Sequence, residues 1–272
     1  MTLGDVHLGT QGWGYRGWVG PFYPLGTRLP DMLGLYARAF RTVEVDSTFY
    51  GVPASAVVRE WAARVPPEFR FALKVPQEIT HARQLVGADE VLARFLERAR
   101  LLGDRLGPLL IQLSPAFRAD EDNRRVLADF LAKLPAGFRW ALEFRDPRWI
   151  VPRTAELLHT RKVALTLADG RWIRRRTMMD VASQPTSDFA YVRWMGSDRR
   201  IQDYSRIQTD RERELTMWAI AIDHLRARVR DVFGFFNNHF QGHSPGSVRR
   251  LQELVGQEAV EPAQLRDQPE LF

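Results

Sequence analysis

The 272-residue chain has no cysteine, which excludes disulfides, thiolate metal sites, cysteine-ligated iron–sulfur clusters and cysteine nucleophiles together. Lysine is nearly absent as well. Of 39 basic residues only Lys74, Lys133 and Lys162 are lysines, so each has to be placed individually. No apolar run reaches the roughly 18 residues of a membrane span, and no charged segment followed by an apolar one stands at the N-terminus. We expect a cytoplasmic protein with no membrane partner. Repeats of short period are missing too, and the 19 glycines and 16 prolines are scattered and not gathered into a linker. A single domain over residues 1–272 is the expectation.

Apolar residues make up 45% and charged residues 26%, ordinary values for a globular core, and the length is close to the roughly 250 residues of an α/β barrel. The net charge of +6 would suit a polyanion, but it comes from arginine used in place of lysine along the whole chain. It is weak evidence for nucleic acid.

Eight short β-branched or aromatic runs recur, at 6–13, 42–50, 69–75, 108–114, 138–145, 162–168, 188–195 and 231–238. Segments of helical period separate them, such as Met32, Leu33, Tyr36 and Phe40, or Leu215, Trp218, Ile222 and Leu225. Asp89, Thr209 with Glu212, and Ser244-Pro245 read as helix starts. The basic segment 170–176 leaves the sixth unit open between a helix and a long loop. Eight such βα units predict an α/β fold of the (β/α)8 TIM-barrel type.

Residues 12–17, GWGYRG, match the dinucleotide fingerprint G-x-G-x-x-G after a strand, but Pro21 and Pro24 follow where a helix would have to open. We read a glycine-rich loop that packs aromatics over the barrel mouth. Strand parity then selects what points inward, because the outward set must be apolar to pack under helices. Strand one offers Gly9 and Gln11; strand two Glu44 and Asp46; strand three Ala72 and Lys74; strand four Leu110, Gln112 and Ser114. Strand five offers Ala141, Glu143 and Arg145, and strand seven Tyr191 and Arg193, while strand eight ends in Asn237 and Asn238. Three carboxylates, Glu44, Asp46 and Glu143, thus face three cations, Lys74, Arg145 and Arg193, near the C-terminal strand ends where TIM-barrel enzymes keep their sites. An ion-pair network that merely plugs the barrel is the alternative, and it gives no reason for that position.

Seven ordered blocks resemble one family: GTQGWGYRGWVGPFYP, VEVDSTFYGVP, FALKVP, LLIQLSP, ALEFRDPRW, YVRWMG and FFNNHFQG. The chain is similar over nearly its whole length to the YecE-like proteins, domain-of-unknown-function family 72. The resemblance implies a TIM barrel and no established activity. Its pattern has Asn where Asp46 stands, Pro at Ser114, His at Asp146 and Leu-His at Trp194-Met195, so those two histidines are not available to a mechanism in this chain.

Glu44, Lys74 and Glu143 are the candidate catalytic groups, as acid, base or amine. Gln11, Trp13, Asp46, Tyr50, Gln112, Arg145, Asp169, Arg193, Asn237 and Asn238 are the candidate binding residues for anionic small molecules, phosphorylated ones included. The loop from Gly242 to Ser247 offers backbone N–H groups where barrels bind phosphate. No cofactor is predicted; a divalent metal held by Glu44, Asp46, Glu143 or Asp169 with His81 or His239 ranks lower, because the inward cations oppose it. Basic and aromatic residues on loops, Trp13, Tyr15, Arg16, Trp18 and Arg171 to Arg176, leave a nucleic-acid binder or metal-assisted nuclease as the second class.

Overall fold

The computed structural model describes residues 3–196 and 200–265, so the ends of the expected 1–272 domain and residues 197–199 lie outside the described residues. Eight parallel strands close in the order β1 to β8, with β1 pairing β8 from Asp5↔Asp231 to Thr10↔Phe236. They are β1 Asp5–Gln11, β2 Thr42–Val45, β3 Arg70–Lys74, β4 Leu106–Gln112, β5 Trp140–Glu143, β6 Val163–Gly170, β7 Phe189–Gly196 and β8 Asp231–Phe236. Helices α1 Met32–Ala39, α2 Ser55–Ala63, α3 Asp89–Ala99, α4 Glu121–Lys133, α5 Pro152–Thr160, α6 Arg175–Ala182, α7 Glu212–Arg226 and α8 Ser244–Leu254 alternate with the strands. This is the expected TIM barrel. The sixth unit holds both alternatives in short form: a loop from Arg171 to Arg174 and then α6, which buries Met178 and Ala182.

Parity divides the apolar residues into two bodies. Ala72, Leu110, Ala141, Ala164, Phe189, Tyr191, Phe233 and Phe235 form a separate buried cluster, which is the lower filling of the barrel. Three of the small residues come from β3, β5 and β6 and the aromatic ones from β7 and β8, so bulk on one wall compensates for alanine on the other. The outward set, including Val43, Leu73, Ile111, Leu142, Val192 and Val232, joins the helices in the larger core.

Several strands end earlier than the apolar runs do. β1 stops at Gln11 because Gly12 takes φ +76°, a left-handed turn that other residues adopt at a cost. β2 stops at Val45, where residues Asp46–Phe49 wind into a 3-10 turn held by Thr48 Oγ1, which donates to the carbonyls of Val45 (2.9 Å) and Lys74 (2.7 Å). Asp46 therefore stands at the rim, half open, and not on the strand. Ser114 lies beyond β4 and takes part in a turn, accepting from Ala116 N. At the end of β7, Gly196 (φ +63°) lies so close to the His239 carbonyl that a Cβ would fall 2.0 Å from it.

Two of the expected helix starts are made by other residues. At α7 it is Asp210, not Thr209, whose carboxylate accepts from Glu212 N, because Thr209 is drawn aside by a backbone bond to Gln241. At α8, Ser244 is already helical and donates through both N and Oγ to Asn238 Oδ1. Asp89 opens α3 without a side-chain cap bond.

Candidate active site at the barrel mouth

One buried polar layer lies on top of the apolar filling. Gln11, Glu44, Lys74, Gln112, Glu143 and Arg193 come from β1, β2, β3, β4, β5 and β7, and none is more than 8% exposed. Arg193 is its centre: Nη2 and Nε donate to Glu44 Oε1 at 2.6 and 3.2 Å, and Nη1 donates to Glu143 Oε2 at 2.5 Å and Gln112 Oε1 at 3.4 Å. Tyr191 Oη donates to the second oxygen of Glu44 at 2.7 Å. Arg145, at the rim, donates through Nη2 to Gln112 Oε1 at 2.7 Å and through Nε to Glu143 Oε1 at 3.4 Å.

The carboxylates of this layer are not equivalent. Burial pushes Glu44 up to about 7, with Asp46 adding to the effect and Arg193 and Tyr191 opposing it. Glu143 is equally buried, but the guanidiniums of Arg193 and Arg145 outweigh that burial and hold it below its ordinary value. One cation shared by two carboxylates, with a second cation favouring Glu143, makes Glu44 the one that takes up a proton. Burial depresses the Lys74 amine and Arg193 depresses it further, while Asp46 works in the other direction.

Lys74 differs from its neighbours in what it touches. Its Nζ stands 3.8 Å above the Phe49 ring and 3.8 Å from Asp46 Oδ1, beyond hydrogen-bonding range. Asp46 Oδ1 is itself buried without a hydrogen-bond partner, with Arg193 Nη2 3.7 Å away. His81, from a single π turn at Glu78–Ala82, packs edge-on against Phe49 and bonds Thr80 through Nδ1. Burial and the charges of Arg145 and Lys74 lower its pKa. Phe49 and His81 also line a cleft of about 920 Å³ that runs out from the mouth between the loops after β2 and β3, past Pro53, Pro76 and Val91.

The sequence-based site divides accordingly. Gln11, Glu44, Asp46, Lys74, Gln112, Glu143, Arg145 and Arg193 are brought together. Asn237 reaches the edge of the group by donating to Gln11 Oε1, whose amide in turn donates to Met195 Sδ. The remaining four stand elsewhere. Asp169 faces the helices, where its Oδ2 accepts from Arg175 Nε (2.6 Å) and Trp218 Nε1 (2.8 Å) and so ties α6 and α7 to β6. Trp13 packs against Trp61 and Phe71, and Tyr50 is exposed on the outer wall of the cleft. Asn238 Oδ1 is taken by Trp18 Nε1 and by Ser244, which also occupies the first N–H of α8 that a phosphate would have used. We expect Asn238→Ala to lower the unfolding free energy by about 2 kcal/mol, since it leaves buried donors unsatisfied. Denaturant melts would show this, and a stability loss under half a kilocalorie would refute the capping role.

Sequence reasoning passed over Phe49 as a site residue; its signal was a position just beyond a strand end. Trp172 on the β6 loop is flanked by the guanidiniums of Arg145 (5.6 Å) and Arg171 (4.5 Å). The arginine run behind it is divided, since Arg175 is paired to Asp169 and Glu214. Among the described residues, three metal-ligating side chains converge at Asp5, His7 and Asp231, at the opposite end of the barrel. There Asp231 already accepts from His7 (2.8 Å) and Arg139 (2.9 Å), and the guanidinium disfavours a further cation.

The sequence model described as "Protein of unknown function DUF72" matches residues 7–270. The chain belongs to the DUF72 family. UPF0759 protein YecE of Escherichia coli is 29% identical over 223 residues, 75% of the DUF72 chain here and 78% of YecE. UPF0759 protein YunF of Bacillus subtilis is 24% identical over 273 aligned residues, 92% and 94% of the two chains. A solved DUF72 family protein of Thermotoga maritima superposes with a TM-score of 0.79 at 24% identity, covering 93% of this DUF72 chain and all of that one, and so shares the barrel. No helix among the described residues is long and apolar enough to cross a membrane.

Proposed function

We propose that this DUF72 protein is an enzyme acting on an anionic small molecule at the C-terminal mouth of its barrel by acid–base chemistry. The observation that carries the reading is the Lys74–Asp46 pair. An amine and a carboxylate oxygen face each other at 3.8 Å without hydrogen bonds among the described residues, beside the other groups of the layer, which bond one another. A ligand hydroxyl or a water between them, accepting from Lys74 and donating to Asp46, would satisfy both. Burial lowers the Lys74 amine below an ordinary lysine, which favours its giving up a proton, and Asp46 is the adjoining group to receive it. Arg145 supplies the anion contact, since two of its nitrogens are held by Gln112 and Glu143 while Nη1 makes no hydrogen bond within the described residues. Glu44, Glu143 and Arg193 then act as positioning residues: their polar atoms are spent on one another, and they set the field beneath the amine.

The test is titration calorimetry of small carboxylates and phosphate monoesters with the wild type, Arg145→Met and Lys74→Met. At least one class is expected to bind, with affinity reduced roughly tenfold or more in each variant, the loss of one charge-assisted hydrogen bond. Equal affinity in all three proteins would place anion binding outside this mouth and end the reading.

A further inference from the structure

The chemistry that Lys74 can perform is narrower than proton transfer. We propose that the Lys74 amine captures the carbonyl carbon of a small 2-oxo acid as an imine, with Arg145 holding the carboxylate. The inference rests on the functional reading above and adds to it the substrate class and a covalent step.

Three observations converge on this. First, Lys74 is the one lysine inside the barrel of a chain that otherwise uses arginine; Lys133 and Lys162 are both exposed. Arginine at position 74 would hold an anion as well or better, so what lysine adds is a nitrogen that can lose its proton and act as a nucleophile. Second, the surroundings leave that nitrogen uncommitted. Its nearest carboxylate oxygen is at 3.8 Å and its other neighbour is the Phe49 ring, so no strong hydrogen bond has to break before attack. The groups around it are Asp46 at the rim, Glu44 and Glu143 below, and Arg193, whose positive charge favours the neutral amine. Third, there is room for the rest of the molecule, because Phe49 and His81 pass from the amine into the cleft bounded by Pro53, Pro76 and Val91. The cleft mixes apolar groups with Gln77 and Glu78 and carries Arg94 and Arg98 at its α3 wall.

The step balances without an outside reagent. Asp46 takes one proton from the Lys74 ammonium, and the nitrogen lone pair forms the C–N bond as the carbonyl π pair moves to oxygen. Asp46 returns that proton to the oxygen, a second nitrogen proton follows it, and the C–O bond breaks to release water. The ammonium and the carbonyl thus become a protonated imine and water, with charge and hydrogens conserved. The imine then acidifies the neighbouring carbon, which is where the acid–base chemistry of the site would act.

Pyruvate, the smallest stable 2-oxo acid, is the probe. The intact protein is incubated with pyruvate and cyanoborohydride, and the reduced adduct is located by peptide mass mapping. In parallel, pyruvate binding is followed by saturation-transfer NMR with the wild type, Lys74→Arg and Arg145→Met. The expected result is a single adduct at Lys74, at least about tenfold above Lys133 and Lys162, and reduced about tenfold in Arg145→Met. Pyruvate binding that Arg145→Met weakens, with no adduct at Lys74, would overturn the imine while leaving the anion site standing. Labelling spread evenly over the three lysines would also overturn it. Neither binding nor labelling, together with carboxylates and phosphate esters that ignore the mouth in calorimetry, would remove both readings.

Discussion

Replacing Arg193 with Met is expected to lower the unfolding free energy by about 3–5 kcal/mol, the range for removing one partner of a buried ion pair. Arg193 is 1% exposed and its guanidinium holds Glu44, Glu143 and Gln112, while the carboxylates press its pKa well above the ordinary value against the effect of burial. Once it is gone, two buried carboxylates face each other with Arg145, Lys74 and Tyr191 as the remaining help. The triple variant Glu44→Leu, Arg193→Met, Glu143→Leu removes all three charges and should recover most of the loss, because well-packed apolar residues usually serve stability as well as a buried triad does. Guanidinium denaturation with comparison of midpoints and slopes decides the matter. A triple variant as unstable as the single one would mean that the layer is kept for the fold. Recovery with loss of anion binding would mean that the barrel retains these charges for what happens above them.

How much of this was legible in the sequence depends on the range of the interaction. Parity along a strand is local, so the inward set of Gln11, Glu44, Lys74, Gln112, Glu143 and Arg193 could be read from alternation alone. Even Asp169 obeys it: with Ala164 in the inner cluster, the odd-numbered residues of β6 face the helices, and only its place at a strand end made it resemble a site residue. Loop residues follow no such rule. Whether Asn238 meets a ligand or caps a helix depends on Trp18, 220 residues away in the chain, and on how the β8 loop returns to Ser244. The cleft was hidden for the same reason. It is made where the turn after β2 and the π turn after β3 diverge, and each is shaped by contacts such as Thr48 to the Lys74 carbonyl that join different strands.

The part of the wild-type folding stability that depends on Glu44 is expected to fall as pH rises from about 4.5 to about 7, against the opposite trend of His81 and His243, whose burial-lowered values favour folding as pH rises toward the ordinary histidine range. The folded pKa of Glu44 lies above the ordinary carboxyl value, so across that window the folded state binds the proton and the unfolded state does not; linkage then favours folding on the acid side and removes that advantage as pH climbs through the folded value. A shift from 4.5 to about 7 corresponds to about 3 kcal/mol at full extent. Glu143 does not blur the window, because its folded value is lowered and its contribution is lost only below the ordinary carboxyl range. Glu44→Gln mimics the protonated form, keeps an acceptor for Arg193 and leaves His81 and His243 in place, so the stability of the wild type relative to this variant should fall over the same interval, measured as the difference in denaturant midpoints at half-unit steps of pH. The same proton bears on the site, for each one taken up by Glu44 adds a positive charge beneath Lys74 and Arg145. Carboxylate binding at the mouth should therefore tighten as pH falls through about 7 in the wild type and lose that dependence in Glu44→Gln. Parallel profiles for the two proteins, in stability and in binding, would show that Glu44 stays ionised throughout and that Arg193 outweighs its burial.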